Sequence, residues 1–187
     1  MNVFHSLHLG LANGWWFTII FMIVNLSMIM YYPKHFKLRV LKQPEFYNGF
    51  QKVCSTVSFI LFQLVIWYSI FLPLQSGTVL FYIGIFLFIS GLTGYIRAMY
   101  DYATTRPDVP VTKGIYKISR NPQQIMSAIL WIGAGIALDS TLIIICCILQ
   151  LILSYPGFLA QEQTCIKMYG QPYMDYIGKT KRYFGRS

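Results

Sequence analysis

Five stretches of this chain contain no charged residue, and their lengths restrict its architecture more than any other feature. Residues 14–32 run for nineteen positions without a charge, 53–74 for twenty-two, 79–96 for eighteen and 141–160 for twenty. Each of these four reaches the roughly 18–20 residues that a helix needs to cross a hydrocarbon core about 30 Å thick. The fifth, 123–138, has sixteen and needs its interfacial flank or a locally thin bilayer. The expected fold class is therefore all-α, an integral membrane protein of about five transmembrane helices. Composition agrees, since 56% apolar and 11% charged residues do not suit a soluble domain of this size. The first run is expected to stay in the protein, because no Lys or Arg precedes residue 34 as a signal peptide would require.

Charge placement gives an orientation. The segment 34–52 carries Lys34, Lys37, Arg39, Lys42 and Lys52; 97–124 carries Arg97, Arg106, Lys113, Lys117 and Arg120; the tail carries Lys167, Lys179, Lys181, Arg182 and Arg186. With five helices, all fifteen basic residues fall on one face, and the opposite loops 75–78 and 139–140 have none. The positive-inside rule then places the N-terminus outside and the C-terminus in the cytoplasm. A net charge of +9 raises the question of nucleic acid, but basic residues at helix ends are accounted for by membrane lipids with anionic headgroups, so no nucleic-acid partner is expected. Cys54, Cys146, Cys147 and Cys165 form no C-x-x-C pair and read as small buried hydrophobes. His5 and His8 are three residues apart, and His35 lies across the membrane from them; no metal site is expected.

The whole chain, 1–187, reads as one membrane domain with two cytoplasmic catalytic segments, 101–124 and 161–187. The first is rich in breakers (Pro107, Pro110, Gly114, Pro122) and long for a loop between membrane helices; such loops are usually functional or disordered, and Ile115, Tyr116 and Ile118 argue for packing. The second is amphipathic: Cys165, Ile166, Tyr169, Tyr173, Tyr176 and Ile177 recur near helical spacing. One or two short helices lying on the interface are expected there, broken at Gly170 and Pro172.

The loop KGIYKISRNPQQ and the tail QEQTCIKMYGQPYMDYIGKTKRYF are separated by an apolar hairpin that returns the chain to the same face. Arg120 and Glu162 are thereby expected to meet across one polar site able to grip a zwitterionic, nucleotide-like cofactor. Arg120 precedes a helix start at Pro122, where free N–H groups favour anions, and its guanidinium offers a bidentate partner for carboxylate or phosphate. The plainer reading makes Arg120 a headgroup-binding arginine and Glu162 its structural counter-ion. Arg97 is expected to snorkel, and Gly84, Gly91 and Gly94 to permit close helix packing. Gln63 and Gln150 are read as interhelical hydrogen-bond partners, and Tyr116, Tyr173 and Tyr176 as interfacial residues, one of which can face a cation.

Taken together, Gly114, Tyr116, Arg120, Pro122, the hairpin, Glu162, Gly170, Tyr173, Tyr176 and Arg182 resemble the isoprenylcysteine carboxyl methyltransferase family, which is related to membrane phospholipid methyltransferases. The resemblance covers about residues 91–184. Asn121 stands where the family has histidine, Gln124 where it has tyrosine, and Gln161 where it has the first of two glutamates. The resemblance implies S-adenosylmethionine-dependent methyl transfer to a lipidic or hydrophobic acceptor (a prenylcysteine carboxylate, a phospholipid amine or a thiol) at the cytoplasmic face. It implies Arg120 and Glu162 as catalytic residues, Arg120 holding the methionine carboxylate and Glu162 the ribose. The cofactor pocket, formed by the loop before helix 4 and the C-terminal helices, would take in Tyr116, Arg120, Asn121, Pro122, Gln123, Gln124, Gln161, Glu162, Tyr173 and Arg182. The alternative is a non-catalytic lipid-binding or assembly protein that keeps the fold.

Overall fold

A computed structural model describes residues 10–32, Phe36 and residues 47–183. Among these the chain forms six α-helices and no strand: α1 (Trp15–Tyr31), α2 (Gly49–Ser69), α3 (Val79–Ala103), α4 (Pro122–Ala137), α5 (Thr141–Tyr169) and α6 (Gln171–Lys179), with a 3-10 turn at Gly114–Lys117 before α4. Local chemistry sets the starts. Asn48 and Gln51 form a reciprocal capping box at α2, and the Thr78 and Ser140 hydroxyls accept backbone N–H groups at α3 and α5. Pro122 opens α4, where its missing N–H costs nothing.

Of the five expected spans, α2, α3 and α5 have the length and apolarity to cross a membrane. Helix α1, with 17 residues, and α4, with 16, would each rise roughly 25 Å, a few ångström short of a hydrocarbon core. Large apolar side chains face outward on the long helices, among them Phe59, Phe86 and Ile152. The interior is filled by Phe21, Val65, Phe88, Leu130, Trp131 and Leu138, drawn from α1 to α4 and the turn that follows.

Helices α3 and α4 pack backbone to backbone. A Cβ at Gly84 would lie 2.6 Å from the Gly133 carbonyl, one at Gly133 would lie 2.5 Å from the Phe88 nitrogen, and one at Gly91 would strike the Leu130 backbone. Close packing at Gly84 and Gly91 is thus as expected, while Gly94 meets the flexible Met126 side chain.

The tail departs from expectation in one respect. Residues 161–169 are not a separate interfacial helix but the last turns of α5, a 29-residue helix roughly 43 Å long that overreaches an apolar slab of about 30 Å. The periodicity of the apolar run and of the amphipathic segment is the same 3.6, so no capping residue interrupts them. The break falls where Gly170 and Pro172 place it: Gly170 has φ +60° and Pro172 lies in the first turn of α6. His5, His8, His35, Lys34, Lys37, Arg39, Lys42, Arg186 and the end of the second catalytic segment lie outside the described residues.

Candidate functional site

The last turns of α5 carry Glu162 next to the start of α4. Glu162 is buried, and Arg120 Nη1 lies 3.0 Å from its Oε1. Arg182 grips the same carboxylate side-on, donating from Nε to Oε1 at 2.9 Å and from Nη2 to Oε2 at 2.7 Å. Its remaining nitrogen, Nη1, donates to the Tyr155 hydroxyl at 2.8 Å. The hydrogen bonds to Glu162 hold the Arg182 proton more firmly than usual, against the opposing effect of burial. Two guanidinium groups therefore share one carboxylate, and the cluster keeps one net positive charge.

That surplus has a location. Arg120 approaches Glu162 at ion-pair distance but off the angle of a hydrogen bond, so its Nε and Nη1 are buried with no hydrogen-bond partner among the described residues. A buried donor without a partner is costly, more so when charged. Arg120 faces a cavity of about 310 Å³ also lined by Tyr116, Asn121, Gln123, Gln124, Gln161, Glu162 and Tyr173. Asn121, Gln123 and Gln124 at the start of α4 line this cavity together with Arg120, and that helix start has no side-chain cap.

The loop and tail are laced together by hydrogen bonds. The Arg120 amide donates to the Lys181 carbonyl at 3.1 Å, Ser119 Oγ to the Arg182 carbonyl at 3.0 Å, and Asn121 Nδ2 to that same carbonyl at 3.4 Å. From α6, the Tyr176 hydroxyl donates to the Tyr116 carbonyl at 2.6 Å. Burial pushes the Tyr173 and Tyr176 phenols above their ordinary range, so both rings are neutral. Beneath the loop, buried Asp101 accepts the Ile115 N–H at 3.1 Å and Arg97 Nε at 3.3 Å. Gly114, with φ +56°, sits so close above that a Cβ would strike the Asp101 carboxylate.

The predicted residues thus converge, with distinctions. Eight of the ten line the cavity; Pro122 is buried at the start of α4, and Arg182 acts through Glu162. Arg97 turns to Asp101 instead of entering the site. Among the described residues no group of His, Cys, Asp or Glu could hold a metal ion. Sequence reasoning passed over Tyr155, Ser119 and Asp101. Tyr155 precedes Glu162 by seven residues, two turns on one helix face, and Asp101 follows Arg97 at i,i+4; both spacings were available as signals. Ser119 had none, because its bond is to a backbone carbonyl 63 residues away.

A family model for phospholipid methyltransferases matches residues 72–172, just over half of the 187. The chain belongs to that family. With its long apolar helices this phospholipid methyltransferase family member is an integral membrane protein. The match takes in Arg120, Gln161 and Glu162 and stops before Tyr173, Tyr176 and Arg182, which the hydrogen bonds above join to the same site. No curated protein matches the sequence closely enough to be named as a relative.

Proposed function

We propose that this protein is an S-adenosylmethionine-dependent methyltransferase working on a hydrophobic acceptor at the cytoplasmic membrane face, with five spans and an external N-terminus. The observation that carries the reading is Arg120: a buried guanidinium, ion-paired with Glu162, that has two nitrogens without a hydrogen bond, in a cavity lined by the loop and by α6. An amino-acid carboxylate would accept from Arg120 Nε, the guanidinium edge turned away from Nη1, which stays beside Glu162, with the start of α4 alongside. The cofactor, when bound, supplies an electrophilic methyl group on a sulfonium. For that cation the cavity offers Glu162 and the neutral faces of Tyr116 and Tyr173, which attract positive charge without forming a covalent bond.

The residues hold and orient. Glu162 serves first as counter-ion to Arg120 and Arg182, and its Oε2, which accepts from Arg182 Nη2, keeps a second lone pair for a ribose hydroxyl. Arg182 pins the tail over the site, and Tyr176 ties α6 to the loop. Positioning of this kind supplies much of the rate in an in-line displacement. Charge placement supports the cytoplasmic assignment, since the site is built from the segments that carry Arg120, Lys181 and Arg182.

A non-catalytic reading draws on Asn121, whose amide is spent on the Arg182 carbonyl, in a cavity where Gln124 and Gln161 replace titratable groups. Calorimetric titration of detergent-purified protein with S-adenosylhomocysteine separates the two. Micromolar binding, weakened at least tenfold in Arg120→Lys because a point charge cannot replace the fork, supports the methyltransferase. A folded sample that binds nothing refutes it.

A further inference from the structure

The cavity at Arg120 extends along the last turns of α5. Gln161 and Glu162 mark one end, beside Arg120, and Met168 and Tyr169 mark the other. From Glu162 to Tyr169 the helix rises roughly 10 Å. The Tyr169 hydroxyl donates to the Pro107 carbonyl at 3.3 Å, which brings the stretch 105–110 over this far end, and Pro110 lines the cavity from it. The outer side of the stretch faces water. Arg106 and Asp108 pair at 2.6 Å with side chains 80% and 56% exposed, and such charges avoid hydrocarbon. A charged methyl donor avoids hydrocarbon for the same reason, so it must enter where a cover of this cavity opens to water.

Two covers can be compared by what holds them. The tail, 181–183, is held by the Arg120 amide and the Ser119 hydroxyl on its carbonyls and by two bonds from Arg182 to Glu162. Tyr183 adds ring contacts with Tyr155 and Phe158. Lifting the tail breaks these together, and the charge-assisted pair is about twice as strong as neutral bonds. The stretch 105–110 is pinned at its ends instead. Thr105 Oγ1 donates to the Asp101 carbonyl at 2.6 Å, Lys113 Nζ donates to Thr104 Oγ1 at 2.8 Å, and Val111 is buried in a cluster with Tyr116, Tyr173 and Tyr176. Its middle meets α5 through the Tyr169 bond, which is neutral, exposed and long for an O–H donor. Water competes for such a bond, so its net worth is small. Pro107 and Pro110 fix φ within the stretch, which favours movement as one stiff piece. Of the two covers, this one opens at lower cost.

We infer that residues 105–110 are the door of the cavity, latched on α5 by the Tyr169 hydroxyl, and that the donor and its demethylated product pass beneath them from the aqueous side while the tail stays in place. This rests on the reading of the cavity as the methyl-donor site. A latch acts on passage and not on affinity. Its bond is made in the closed protein with or without ligand, so its loss raises the entry and exit rates by one factor and leaves their ratio unchanged. A hydroxyl that touched the ligand would raise the exit rate alone.

The test follows tritiated S-adenosylhomocysteine on full-length protein in nanodiscs, with entry timed after mixing and exit timed by a chase of unlabelled compound. Tyr169→Phe keeps the ring that lines the cavity and removes the hydroxyl. Both rates are expected to rise about three- to tenfold, the worth of one neutral hydrogen bond, with the dissociation constant unchanged. Tyr183→Ala loosens the tail from Tyr155 and Phe158 without touching the door, and should leave both rates at parental values. Parental exchange in Tyr169→Phe, a weaker dissociation constant with the entry rate unchanged, or equal acceleration by Tyr183→Ala overturns the inference even where the compound binds. A folded parent protein that binds none of it refutes the donor-site reading itself, and the door with it.

Discussion

Replacing Glu162 with glutamine tests the charge cluster directly. The side chain is 11% exposed, and its partners Arg120 and Arg182 are 10% and 19% exposed, so solvent screens them only in part. The change takes the cluster from one surplus positive charge to two. It also removes a side-on pair of charge-assisted hydrogen bonds to Arg182, since an amide has one acceptor oxygen where the carboxylate had two. Removing one partner of a buried pair costs about 3–5 kcal/mol. The partial exposure of Arg182 and the remaining amide oxygen reduce this to about 2–4 kcal/mol. For a chain of this length that corresponds to a fall in melting temperature on the order of 10 °C. The loss should be felt first in the tail, because Arg182 is its side-chain anchor. Limited trypsinolysis would then cut at Lys181 and Arg182 much faster in Glu162→Gln than in the parent, with the fluorescence-detected melt lowered in parallel. Adding Arg182→Met removes the excess charge and should recover part of the melt without restoring tail protection. A Glu162→Gln protein with parental melting and a parental digestion rate would show that the cluster does not hold the tail.

Other expectations concern the support of the site. Asp101→Ala strands the Ile115 N–H and should cost about 1–3 kcal/mol, with weaker S-adenosylhomocysteine binding in calorimetry as the turn bearing Tyr116 loosens. Gly91→Ala drives a Cβ into the backbone of α4 and should cost about 1–3 kcal/mol, read as a lower melting temperature with donor binding per folded molecule preserved. The raised Tyr173 and Tyr176 values predict alkaline instability: below the ordinary value of 10.0 both phenols are neutral folded or unfolded, and above it the unfolded chain ionises first, so stability falls as pH rises. Denaturation at pH 9, 10 and 11 should show that slope, and Tyr173→Phe should flatten it.

Much of this protein is legible along the chain because its determinants are local. Uncharged runs of membrane length specify helices before any contact is known, since the backbone in lipid must satisfy its own hydrogen bonds. Pro122 and the Gly170–Pro172 break mark helix ends through backbone geometry alone, and the returning hairpin between Arg120 and Glu162 brings them to one face. Tertiary structure decided what the sequence left open. Whether 161–169 lay on the interface or extended α5 depended on a continuous helix finding a loop to pack against. That Glu162 is shared between two arginines, and that Arg120 keeps two nitrogens without a hydrogen bond, follows from angles between side chains some twenty to forty residues apart. No periodicity encodes such angles, nor the meeting of Tyr169 with Pro107, because both arise only where separate segments approach.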